Sequence, residues 1–111
     1  MEYFFIGERE LYLAFKLVGV GGEVANNRGD ALEAFKLMTG QSSKVAGPAG
    51  KDRPKVLIMT EDVANMLEKE VIDWQQGGRA PLIVEIPGLQ GHLQGRKTLT
   101  DSIREAVGIQ V

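Results

Sequence analysis

Apolar positions in this chain fall into short runs separated by longer stretches of helical period. The runs cover residues 3–6, 23–25, 55–59 and 82–86, each of strand length. The second is the weakest. The last two are apolar almost throughout, which predicts burial on both faces, as in the middle of a parallel sheet. After Gly7, the residues Leu11, Phe15 and Val18 recur at helical spacing with Ala14 and Leu17 beside them. Gly19, Gly21 and Gly22 are expected to stop that helix, since glycine adopts the left-handed terminating conformation at little cost. A second helix is predicted from about Asp30, as its N-cap, to Met38, with Ala31, Leu32, Phe35 and Met38 turned inward. Thr60 is the expected cap of a third, with Glu61 and Asp62 at the positive end of its dipole. Its stripe runs Val63, Leu67, Val71, Trp74 and stops at Gly77-Gly78. A last helix is expected over residues 98–108, where Leu99, Ile103, Ala106 and Val107 share one face.

Strands alternating with helices imply right-handed crossovers, so helices fall on both faces of a parallel sheet. The expected fold is therefore α/β: a small doubly wound four-stranded parallel sheet flanked by helices, with a C-terminal helix. The whole of 1–111 reads as a single domain, long enough to bury roughly two-thirds of its unfolded surface. Residues 40–54, rich in Gly, Ser and Pro and without apolar period, read as a long mobile loop.

Composition narrows the function classes. Thirteen basic against fifteen acidic side chains leave a net charge of −2, which supplies no field for gathering nucleic-acid phosphates. With no cysteine there is neither a disulfide framework nor a thiolate zinc site. The opening MEYFFIGERE lacks the basic region of a secretory leader, and every apolar run is far below the roughly 18 residues of a bilayer span. A cytoplasmic protein is expected, reaching a membrane only through other proteins.

In parallel sheets ligands bind beyond the carboxyl ends of the strands. A receiver-like signalling domain would need an aspartate ending the third strand; Thr60 stands there, and capping explains it. The Gly19-Val20-Gly21-Gly22 cluster follows a helix and precedes a strand, the reverse of a dinucleotide fingerprint. After the fourth strand, residues 88–98 imitate a phosphate loop, with Gly91, Gly95, Lys97 and Thr98. Counted from Gly91, the second glycine should fall at Arg96, whose side chain crowds the place where backbone must meet phosphate. A small-molecule or anion-binding module using this loop is the alternative function, and a solvated basic loop is the plainer account. His92, the single histidine, builds no zinc site by itself and reads as an exposed loop residue. Glu85 reads as a strand-end carboxylate bonded to a neighbour, and Trp74 as core. No catalytic, cofactor-binding or metal-binding residue is assigned.

Four segments together resemble the F subunit of the V-type and archaeal-type ATPases. FFIGERE with AFKLVGVGG is similar to that family's opening, LIMTEDVANML to its third strand and helix, APLIVEIPG to its fourth strand, and TDSIREAVG to its terminal helix. Thr100 stands where lysine is usual, and residues 40–54 and the glycine-rich stretch before the last helix depart from the pattern. The resemblance implies a non-catalytic component of the central rotor stalk. Such a component pairs with the long coiled coil of the stalk's D subunit, couples nucleotide turnover to ion flow, and modulates ATPase activity. It further implies docking through the last helix, by Leu99, Asp101, Ser102, Ile103, Arg104, Ala106 and Val107.

Overall fold

Strands and helices alternate along residues 2–42 and 52–89, the part of the chain that the computed structural model describes. In order they are β1 (Tyr3–Gly7), α1 (Arg9–Leu17), β2 (Gly21–Val24), α2 (Arg28–Thr39), β3 (Val56–Thr60), α3 (Glu61–Met66), α4 (Glu68–Gln76) and β4 (Leu82–Ile86). The four strands are all parallel, in the order β2-β1-β3-β4. The crossover from β1 to β2 runs one way along the sheet and the next two run the other way. Handedness therefore puts α1 on one face and α2, α3 and α4 on the opposite face. The expected doubly wound α/β sheet is what forms.

Alternation along the strands sends Phe4, Ile6, Leu57, Met59 and Ile83 to the α2 side, where they meet Ala31, Phe35, Val63, Leu67, Val71 and Trp74. Phe35 and Trp74 pack edge to face, ring centres 6.3 Å apart. The Trp74 indole N–H donates to the Pro81 carbonyl at 2.9 Å, which satisfies its one polar atom inside the core. On the α1 side, Phe5 is fully buried beneath Phe15, with ring centres 4.8 Å apart.

Local chemistry departs from expectation in three places. The N-cap of α2 is Asn27 rather than Asp30: the Asn27 side chain accepts from the Asp30 backbone N–H at 2.9 Å, and Asp30 lies in the first turn. The three glycines after α1 do not all belong to its stop. Gly21 and Gly22 open β2, and a Cβ on Gly22 would lie 2.3 Å from the Phe5 carbonyl oxygen, so only glycine lets β2 approach β1. The long third helix is two, broken at Leu67. Here the Arg28 guanidinium reaches over from α2, donating to the Met66 carbonyl and to both oxygens of Glu70. The break frees a carbonyl that a tertiary donor takes up, and no glycine or proline announces it.

Gly40 ends α2 in the left-handed conformation, φ 75°, as a C-cap glycine does. Most of the predicted 40–54 loop, residues 43–51, and all of the predicted 98–108 helix lie outside the described residues.

Candidate functional site

The carboxyl ends of the strands are where a parallel sheet would carry chemistry, and their side chains are already engaged in holding the fold. Thr60 is buried at the end of β3 and its hydroxyl accepts from the Val63 backbone N–H at 3.4 Å, capping α3 as predicted. Glu61 beside it is 3% exposed, at the helix's positive end. Glu8, between β1 and α1, spans the mouth of the sheet: its Oε1 accepts from the Leu89 backbone N–H at 2.6 Å, just past β4. Gly88 lies so close that a Cβ there would stand 3.0 Å from that oxygen. Among the described residues no three His, Cys, Asp or Glu side chains are grouped to hold a metal ion. No helix among them is long and apolar enough to cross a membrane.

The residues singled out from sequence fall into two sets. Trp74 is core, 4% exposed, with the Arg79 guanidinium stacked 4.1 Å from its ring centre on the outer side. Glu85 is half-buried in β4, in register with Met59. The second set, namely His92, Arg96, Lys97 and Thr98 of the phosphate-loop imitation and Leu99, Asp101, Ser102, Ile103, Arg104, Ala106 and Val107 of the docking helix, lies outside the described residues.

A surface that sequence reasoning missed lies on the α1 side of the sheet. Register places Tyr3, Val56 and Leu82 in one row across it, and Phe5, Ile58 and Val84 in the next. Thr60 and Ile86 continue the grid. Of the described helices α1 alone lies on this side, and it packs over β1 and β2. Phe5 is therefore sealed, while Tyr3 is 50%, Leu82 61% and Val84 38% exposed, and Val56, Ile58 and Ile86 are partly so. The expectation that β4 is buried on both faces holds for the Ile83 side and fails for this one. The helix alongside is equally bare. No residue of α1 is fully buried, and Leu13, Leu17 and Val18 stand exposed next to Phe15. Nothing in LIVEI could have revealed this, because a strand that awaits a cover has the same composition as one already covered.

One pair of charges stands out on the other side. The Glu70 carboxyl sits below its ordinary pKa, chiefly because Arg28 hydrogen-bonds to it, with the attraction of that charge in support. The same hydrogen bond raises Arg28. The pair braces α2 against the α3–α4 junction.

Comparison with known proteins gives two results. The model of the ATP synthase (F/14-kDa) subunit family matches residues 4–107. The chain is also similar to the F subunit of the A-type ATP synthase of Thermoplasma acidophilum, 27% identical over 106 residues, which cover 96% of this chain and 90% of that one.

Proposed function

The chain belongs to the ATP synthase (F/14-kDa) subunit family, and from that premise we propose that it is a non-catalytic component of the central rotor stalk, carried on the coiled-coil D subunit. As part of a rotary ATP synthase it works in company with the other proteins of that complex. In this reading it adds no chemistry of its own. It stiffens the shaft that couples ATP turnover to ion transport, and it modulates the ATPase activity of the head. It acts on the cytoplasmic side, peripheral to the membrane. The docking element is the 98–108 helix, through Leu99, Asp101, Ser102, Ile103, Arg104, Ala106 and Val107.

The observation that carries the reading is the extent of the family match, which runs from β1 through residue 107 and so takes in the whole apolar stripe of the last helix. The strand ends agree with it: Thr60 and Glu8 are occupied in capping and bridging, where an enzyme of this topology would present reactive groups. Substitution of Ile103 by Asp tests the docking helix. It is expected to weaken co-elution with the D subunit's coiled coil by about 30-fold or more, as loss of a central interface anchor does, while the far-ultraviolet circular dichroism stays that of the parent. Unchanged co-elution would sink the assignment.

A further inference from the structure

We propose that the cavity at the amino end of the sheet, between the end of α4 and the start of β4, binds a small amphiphilic carboxylate, with the Arg79 guanidinium as the group that clasps its charge. The inference is independent of the stalk assignment.

The cavity measures about 490 Å³, and its walls include Lys55, Trp74, Arg79, Pro81, Leu82 and Ile83. Sites for small ligands run to roughly 300–1,000 Å³ and are mostly apolar with a few fixed polar groups. This lining has that make-up. It lies at the opposite end of the strands from Thr60 and Glu8. Lys55 immediately precedes β3, Pro81 immediately precedes β4, and the Leu82 N–H donates to the Lys55 carbonyl at 2.9 Å.

Charge decides the kind of ligand. Two cations line the cavity and no acid does, in a chain whose net charge is −2. The groove between β2 and α2 has the opposite lining, with Glu23, Asp30 and Glu33. Lys55 already shares its charge with Glu2 at 3.3 Å, in an ion pair exposed at both ends. Arg79 has no such partner: among the described residues it makes neither an ion pair nor a side-chain hydrogen bond.

Geometry decides how the ligand is held. The Arg79 guanidinium stacks 4.1 Å from the centre of the Trp74 ring. That contact uses its flat face and leaves the N–H edge free to donate. The ring is itself held in place, because the indole N–H is committed to the Pro81 carbonyl. A Cβ on Gly77 would lie 3.2 Å from Arg79 Nε, so the side chain lies back across the end of α4 instead of reaching into water. An arginine laid down in this way has lost rotamer freedom before a ligand arrives, and its planar fork matches both oxygens of a carboxylate. Ala80 and Leu82, the latter 61% exposed, offer apolar surface beside it. A bare carboxylate would find only a solvated ion pair, which is worth little in water. An uncharged apolar molecule would leave the donors unused. The lining therefore calls for both features in one ligand.

Trp74 is the single tryptophan, so its fluorescence reports this cavity in the full-length chain without background. The probe is 4-phenylbutyrate, titrated at neutral pH and low salt. It is expected to change the Trp74 emission saturably, with a dissociation constant on the order of 1–10 mM. Acetate and the uncharged 4-phenylbutyramide are expected to bind about fivefold more weakly or less. Arg79→Gln should weaken 4-phenylbutyrate by about fivefold, read by calorimetry so that the measurement does not depend on the ring's emission. Arg79→Lys should restore only part of that loss, since an ammonium lacks the planar fork. Circular dichroism of each variant checks that it keeps the parent fold. Absence of a saturable response to 4-phenylbutyrate overturns the proposal. Equal affinity for the amide, or unchanged affinity in Arg79→Gln, also overturns it.

Discussion

The two faces of the sheet carry the same kind of residue and have different fates. On the α2 side, Phe4, Ile6, Leu57, Met59 and Ile83 are closed over by three helices and lose nearly all contact with solvent. On the α1 side, one helix among the described residues serves four strands, and Ile58, Leu82 and Val84 of β3 and β4 are partly or largely exposed. The first face holds the described fold together. The second leaves apolar area that the described residues do not cover. The difference comes from topology, because the crossovers after β2 and β3 both run in one direction and load their helices onto one side.

That contrast can be broken most severely from the closed side. Phe35→Ala removes a ring that is 1% exposed and packed on Trp74, and is expected to cost about 3–5 kcal/mol, read from urea unfolding of the variant and parent. Gly22→Ala attacks the seam between the faces. Its methyl group would meet the Phe5 carbonyl oxygen at 2.3 Å, so β2 must shift from β1, at about 1–3 kcal/mol, the usual range for overpacking. Asn27→Ala removes the cap of α2 and should cost about 1 kcal/mol, an effect that Asn27→Asp largely restores. A loss on Asp30→Ala as large as that on Asn27→Ala would contradict the assigned cap.

The smallest effect concerns the brace between Arg28 and Glu70, and pH isolates it. The folded Glu70 carboxyl lies below the ordinary value of 4.5, so it binds a proton less readily than in the unfolded chain. Its contribution is present above pH 4.5 and is lost as pH falls through the folded value. Glu70→Gln should therefore be less stable than the parent at neutral pH and converge with it in acid. A gap that widens on acidification would refute the brace. Salt should shrink the neutral-pH gap, because both side chains are partly solvated.

Much of the fold is legible in the sequence, because its signals are local. Thr60 before two acids reads as a cap and is one, and the stripe from Val63 to Trp74 lies inward as spaced. What local pattern misreads is decided at a distance. Asn27 and Asp30 are both good caps, and the choice between them follows from where β2 ends. The break at Leu67 is stabilised by Arg28, 38 residues before the carbonyl to which it donates. The early start of β2 depends on Gly22, which alone lets the strand lie against the Phe5 backbone. The proposed docking residues of 98–108 lie outside the described residues and rest on sequence alone. They are singled out by family motif and apolar stripe, whereas the exposed rows of β3 and β4 follow from where the described helices sit.

The bond from the Leu89 N–H to Glu8 joins residues 81 positions apart and has a mechanical consequence. Without it, tension on the chain beyond β4 would act on a rim strand, which can be peeled away one hydrogen bond at a time. Glu8 follows directly on β1, the strand gripped on both sides by β2 and β3. A pull on the tail must break this tie to the middle of the sheet before it can begin to peel β4.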